Sequence, residues 1–435
     1  MNIILLSGGS GKRLWPLSND VRSKQFIKIF KKEDGSYESM VQRIYSQIKT
    51  VDKDATVTIA TSKSQVSAIH NQLGTEVGIS VEPCRRDTFA AIALAAAYLH
   101  DVRSVDEDEA VVVCPVDPYV ELSYFERVND LYKAAQSGKK NIYLMGIEPT
   151  YPSEKYGYIR PDENGGYSYT EKPTREKAEE YMRRSAMWNA GVFACKLSYI
   201  LKKSRELLGS CEYSLLFNDY EKLENISFDY AVVEAETSIE VLRYSGEWRD
   251  LGTWNTLSAA MADPIVGNGK VDESCENVHI INELGIPVLG IGLKDMVISA
   301  SPQGILVSDR EASSRIKPLV DAMDQQIMFA EKSWGKYRVL DVEDGSLTVN
   351  VALDPDQMMN YHSHEHRDEV WTVIAGYGRT IVDGMEQPVK VGDVITMAAG
   401  CKHTVIAGPE GLKLIEVQLG EEISVSDKKK YEWKP

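Results

Sequence analysis

A chain of 435 residues, 43% apolar and 26% charged, has room for two or three domains that each bury a proper core. Its formal charge of −16 excludes nucleic acid and an anionic membrane surface as partners over most of the surface, so a polyanion site must be a local basic patch on an acidic body. No stretch approaches the roughly 20 apolar residues of a membrane span. Met1 leads into a strand with no signal peptide. Six scattered cysteines without a Cys-x-x-Cys pair read as reduced, mostly buried thiols, which points to the cytoplasm.

Asn2 to Leu6 is a short apolar run that predicts a buried strand. Ser7, Gly8, Gly9, Ser10 and Gly11 follow, nearly free of side chains, so bare backbone N–H groups there can close on phosphate oxygens. Arg13 offers a fixed cationic fork to the same anion and Lys24 a mobile charge. The loop is not a P-loop, because no Gly-Lys-Ser/Thr follows at the required spacing. It is not the dinucleotide fingerprint either, because Leu14 stands where Gly or Ala is needed. A flexible glycine turn with two solvated cations is the bland alternative.

Further along, strand and helix candidates alternate. Thr56–Ala60, Ile79–Pro83, Ala110–Cys114 and Asn141–Ile147 read as strands, and Gln65–Leu73, Phe89–Leu99 and Tyr124–Ala135 as helices. This rhythm predicts an α/β, Rossmann-like domain with a mixed, mostly parallel sheet, whose ligand lies outside the carboxyl ends of the strands. Asp117 falls just past one such end, and Asp250 lies in a polar-aromatic turn, Trp248-Arg-Asp-Leu-Gly-Thr-Trp254. Two carboxylates converging on phosphates would hold Mg²⁺, which prefers oxygen ligands. Residues 263–308, rich in Gly, Val and Ile, predict a small β connector, with Val278–Ile281 and Pro287–Ile291 as strand-like pieces. Asp321 to Glu331 predicts a linking helix, and from Trp334 on strands and turns predict an all-β domain with a frayed tail from Lys428. The expected domains are 1–262, 263–325 and 326–435.

The string Leu6-Ser-Gly-Gly-Ser-Gly-Lys-Arg-Leu-Trp-Pro-Leu-Ser18, with Lys24-Gln-Phe26, resembles the signature of sugar-1-phosphate nucleotidylyltransferases, in the form found in mannose-1-phosphate guanylyltransferases. Lys12 stands where that family usually has Thr, and Ser23 where it has Pro. Other pieces follow in family order. Glu82-Pro-Cys-Arg-Arg-Asp-Thr resembles the nucleotide-lining element, which implicates Glu82, Arg86 and Asp87, the last in place of Asn. Tyr156-Gly157-Tyr-Ile, Glu171-Lys172-Pro and Trp188-Asn189-Ala-Gly-Val-Phe resemble sugar-phosphate elements. The resemblance implies an enzyme joining GTP and mannose 1-phosphate, Mg²⁺ on Asp117 and Asp250, and a homo-oligomer, specifically a dimer. Other bases and hexoses stay open, as does a sensor that has lost turnover, which the retention of Arg13, Lys24, Asp117 and Asp250 disfavours.

Four of the seven histidines cluster late, in His362-Ser-His364-Glu-His366-Arg367-Asp-Glu369 and His403. His-x-His on a strand sets both rings on one face. With Glu369 and His403 they make a three-nitrogen, one-oxygen set that suits Zn²⁺ or another divalent ion, and His366 shares the parity of a supporting residue. A His-rich surface strand is the alternative. The block resembles a cupin barrel, in particular the C-terminal domain of bifunctional guanylyltransferase/phosphomannose isomerases. That resemblance implies mannose 6-phosphate isomerisation with Arg367 at the substrate. Their first ligand is usually Gln, where this chain has His362.

Overall fold

The computed structural model describes residues 1–9, 11–19, 21–162, 166–323, 326–421, 423–424 and 426–433. The chain forms two compact units. One holds Met1–Gly11 and Ser23–Asp263, the other Lys12–Arg22 and Pro264–Pro435.

The first unit is built on a nine-stranded mixed sheet. Asn2–Leu6 sits at its centre, parallel to Thr56–Ser62 on one side and Ala110–Pro115 on the other. Gly78–Glu82 extends the parallel part. The long strand Met187–Lys196 then runs antiparallel to Ala110–Pro115 and Ile142–Ile147, and Tyr158–Pro161 with Tyr167–Thr170 completes that edge. The three central parallel strands are buried along nearly their whole length, which is why they read as largely apolar runs and not as alternating ones. The helix Asp87–Asp101 is buried almost all round, because its alanines let it sit close to the sheet and to the helix Leu197–Leu208.

In the second unit, short parallel strands come first. Ile265–Gly267, His279–Asn282 and Met296–Ser301 stack in order, with Gly304–Asp309 antiparallel at the edge. Gly267 has φ +90, and a Cβ there would run into the Asn282 carbonyl, so no other residue fits. An antiparallel, curled nine-stranded sheet follows. In Ser346–Leu353 burial alternates strictly, with Leu347, Val349, Val351 and Leu353 inward against Trp334, Trp371 and Leu414.

Several expectations are corrected. The linking helix lies upstream, at Ile316–Asp321, while Phe329–Lys332 is a strand paired with Gly335–Arg338. Pro318 falls early in that helix, where its missing N–H does no harm. All six cysteines are free, but only Cys114 and Cys195 are buried. Asp250 ends a short strand, Trp248–Asp250, instead of lying in a turn. The tail does not fray: Lys429–Lys430 pairs with His362–Ser363, and Trp433 packs on Tyr361 at 5.3 Å. No helix among the described residues is long and apolar enough to cross a membrane.

Candidate functional site

The carboxyl ends of the central strands open on a cavity of about 290 Å³. Asp250 lines it from the strand Trp248–Asp250, and Asp117 lines it just before the paired strand Pro118–Val120, in which Pro118 faces Asp250. Lys24 holds both acids: its Nζ lies 3.0 Å from Asp117 Oδ2 and 3.8 Å from Asp250 Oδ1. One cation between two half-exposed carboxylates marks a place where oxygen donors converge. An all-oxygen pair of this kind fits Mg²⁺.

The glycine loop is braced from below. Ser7 is buried; its N–H bonds to Ala60 O at 2.9 Å and its hydroxyl to Gln65 Oε1 at 3.0 Å, while Gln25 donates to Ser7 Oγ at 2.8 Å. Gln65 also donates to Ser23 Oγ at 2.7 Å, and Ser23 donates to Gly9 O at 3.1 Å. Ser23, the departure from Pro, is therefore what ties Gly9 to the core. Gly8 and Gly9 stay exposed, and Gly9 and Gly11 have φ of +95 and +63, values that glycine adopts without strain. Ser10 lies outside the described residues. Arg13 is exposed on the short turn Lys12–Leu14.

At the start of the helix Asp87–Asp101, Asp87 has φ +59 and its carboxylate accepts the Thr88 N–H at 2.7 Å. Arg86 donates from Nε to the Glu221 carbonyl at 3.1 Å, and Tyr220 donates to Glu82 at 2.7 Å. Burial pushes the Glu82 carboxyl up, against the pull of that hydroxyl.

Tyr156, Gly157, Glu171, Lys172 and Asn189 all line the cavity. They adjoin one hydrogen-bonded array. Asn189 Nδ2 donates to Asp229 Oδ1 at 2.6 Å and to the Tyr169 hydroxyl at 3.4 Å, Tyr169 donates to Glu171, and Lys172 pairs with Glu171 at 2.7 Å. A Cβ at Gly157 would strike the Tyr169 hydroxyl and the Glu171 carboxylate, so glycine is what lets the backbone approach. Tyr156 packs edge-on between Trp188 and Trp248 at 5.0 and 5.2 Å, giving the cavity an aromatic side.

Asp229 is a wall residue that the sequence reading did not single out. It opens a single π-turn, Asp229–Val233, and such turns recur at functional sites. Burial, with help from the Glu171 charge and against the Asn189 hydrogen bond, pushes its carboxyl from 3.8 up to about 6. A carboxyl that holds its proton more tightly folded than unfolded makes stability fall as pH rises from about 4 to about 6, with the full penalty above that. Asp229→Asn keeps the oxygen that Asn189 bonds. It is expected to stabilise the first unit by on the order of 1 kcal/mol at pH 7.5 and to flatten its stability between pH 4 and 6, read by denaturant melts. A parent-like pH dependence would show that Asp229 is not the buried acid described.

The second unit holds the other cluster. His362, His364, Glu369 and His403 are buried, and their donor atoms all lie within 4.8 Å of one another. Each Nδ1 faces a backbone carbonyl: Asn360 at 2.6 Å for His362, Asp427 for His364, and Cys401 at 3.0 Å for His403. That places the proton on Nδ1, with His364 Nε2 3.1 Å from Glu369 Oε1 and 3.0 Å from the Arg367 guanidinium, which donates to it. His403 Nε2 is buried without a hydrogen bond among the described residues, 3.2 Å from Glu369 Oε2. Burial pushes His362 down to about 2, so its ring is neutral. His403 Nε2 and Glu369 Oε2 face each other as acceptors, and the three imidazoles with one carboxylate fit a divalent metal such as Zn²⁺. Trp371 donates to Glu369 Oε2 at 3.2 Å. Arg367 is buried and donates to Glu369 Oε1 at 3.1 Å and to Ser424 O at 2.9 Å. His366, expected to support the cluster, is exposed; the chain turns between His364 and Arg367, so strand parity fails there.

The nucleotidyl transferase family model matches residues 2–265, and the mannose-6-phosphate isomerase C-terminal model matches residues 321–432. Across 98% of this chain and 96% of its own length, the mannose-1-phosphate guanylyltransferase of Escherichia coli (strain K12) is 30% identical. The putative mannose-1-phosphate guanylyltransferase of Vibrio cholerae is 27% identical over 99% of each chain. Among solved structures, the mannose-1-phosphate geranyltransferase of Thermus thermophilus superposes with a TM-score of 0.62 at 26% identity, covering 74% of this chain and 98% of that one. Strand, braced glycine loop, converging carboxylates and polar array thus stand in a chain that is an enzyme of the nucleotidyl transferase family.

Proposed function

We propose that the chain joins mannose 1-phosphate to GTP, releasing pyrophosphate and forming GDP-mannose, in the cytoplasm, where its six free thiols stay reduced. The observation that carries this reading is the cavity shared by Asp117, Asp250 and the Glu171–Tyr169–Asn189–Asp229 array, supported by full-length relatives bearing that name. The sugar phosphate oxygen attacks the α-phosphorus in line and the bond to pyrophosphate breaks. The nucleophile is already an anion, so no general base is required, and positioning with charge neutralisation does the catalysis. Mg²⁺ on Asp117 and Asp250 would supply charge neutralisation across both substrates. Lys24 then turns from the two acids to the α-phosphate or the sugar phosphate. The amides of Gly8, Gly9 and Gly11 take the leaving phosphates, with Ser7 anchoring the loop, and Arg13 supplies a cationic fork for the same anion. Glu82, Arg86 and Asp87 border the base, and Tyr156, Gly157, Glu171, Lys172 and Asn189 hold the sugar.

A panel of nucleoside triphosphates against hexose 1-phosphates, read by pyrophosphate release, tests the assignment. GTP with mannose 1-phosphate is expected to turn over fastest; a clear preference for another pair would replace it. Arg13→Lys keeps the charge but loses the bidentate fork. It is expected to lower kcat/KM for GTP by at least about tenfold, an amount typical of a lost charge-assisted hydrogen bond. Parent-like kinetics would take Arg13 out of the phosphate site.

A second activity is favoured by the four-residue cluster and the isomerase-type domain around it. In that reading the metal-loaded cupin interconverts mannose 6-phosphate and fructose 6-phosphate. The metal would polarise the carbonyl, and the protein's own groups would move the proton between C1 and C2.

A further inference from the structure

His362 and His364 depend on the end of the chain for their geometry. His362 and Ser363 pair antiparallel with Lys430 and Lys429. The Asp427 carbonyl receives the Nδ1–H of His364, and its carboxylate accepts the backbone N–H groups of Glu365 at 2.8 Å and His366 at 3.1 Å. Tyr431 locks the far side: its N–H bonds to Tyr361 O at 2.8 Å, and its hydroxyl lies 3.1 Å from Ser363 Oγ. These anchors on both sides hold the segment Asp427–Tyr431 against the strand that carries His362.

We propose that Asp427–Tyr431 is a working wall of the cupin metal site, in which Asp427 positions His364 as a ligand. This rests on the metal reading of the cluster and not on turnover.

The test uses the full chain, stripped with a chelator and titrated with zinc against a chromophoric competitor. Asp427→Ala is expected to weaken zinc by about 10–100-fold, the usual cost of losing a group that orients a metal ligand. Asp427→Asn, gentler on folding, is expected to weaken it in the same direction. Zinc affinity like the parent's in both folded Asp427 variants overturns the positioning role. A zinc-loaded parent that binds mannose 6-phosphate without converting it sinks the isomerase reading and leaves this inference standing. A parent that binds no zinc sinks the metal reading itself.

Discussion

Replacing Asp117 or Asp250 by Ala is expected to cut GDP-mannose formation at least about 10²-fold while the protein stays folded. The asymmetry follows from where the two acids stand. Both side chains are more than a third exposed, at 43% and 38%, and both are ion-paired to Lys24. Exposed pairs of this kind contribute only about 0–1 kcal/mol to stability, so each variant should melt close to the parent. Their effect on the reaction is larger, because charge builds on the transferring phosphoryl group in a cavity whose hydrogen-bonding groups are already in place. Losing one carboxylate also frees Lys24 to swing toward the remaining acid, which further disorders the site. Pyrophosphate release at saturating substrates, read beside a thermal melt, checks both halves of the expectation. Near-parent turnover in either folded variant would remove that residue from the metal site.

Much of this was legible in the sequence, for physical reasons that can be named. Asn2–Leu6 and Ala110–Pro115 are central parallel strands, and such strands are buried on both faces, so they stand out as unbroken apolar runs. The glycine loop is visible because only bare backbone tolerates its φ values. His362, His364, Glu369 and His403 stand out in the sequence because residue types able to hold a metal carry chemistry in their type, and the structure brings the four together. What failed to show was whatever depends on long-range contact. Asp229 lies 40 residues from Asn189 and reads alone as an unremarkable acid. His366 has the right parity but sits where the strand has ended. Lys428–Trp433 carries the charge and composition of a loose tail, and only pairing with a strand 68 residues earlier makes it a wall. Ser23 looks like a local substitution until its hydroxyl is seen joining Gln65 to Gly9.

Removing the divalent ion from the second unit is expected to abolish mannose 6-phosphate isomerisation and to lower the melting temperature of that unit by about 5–10 °C. The size follows from linkage: a ligand present at a hundred times its Kd stabilises the state that binds it by about 2.7 kcal/mol, and a unit of this size moves by about 2–4 °C per kcal/mol. The direction follows from the site. With its Nδ1 committed to a backbone carbonyl, His403 Nε2 lies 3.2 Å from Glu369 Oε2 without a hydrogen bond among the described residues, acceptor against acceptor in a buried space. A cation turns that repulsion into ligand bonds. Glu369→Gln should reproduce the chelator's effect on isomerisation, because it removes the one anionic ligand and halves what Trp371 and Arg367 can donate to. Arg367→Ala should also abolish isomerisation, since it unties Glu369 Oε1. Transferase turnover in both variants is expected to stay near the parent's, because Asp117, Asp250 and the sugar array belong to the first unit. Metal analysis of the purified chain, calorimetric melts with and without chelator, and a coupled fructose 6-phosphate assay decide the matter. A melt indifferent to chelator, with no bound metal, would make the cluster a structural network of the barrel. Bound metal without isomerisation would instead point to His362, where the resemblance to the bifunctional enzymes leads one to expect Gln, as the change that silenced the reaction.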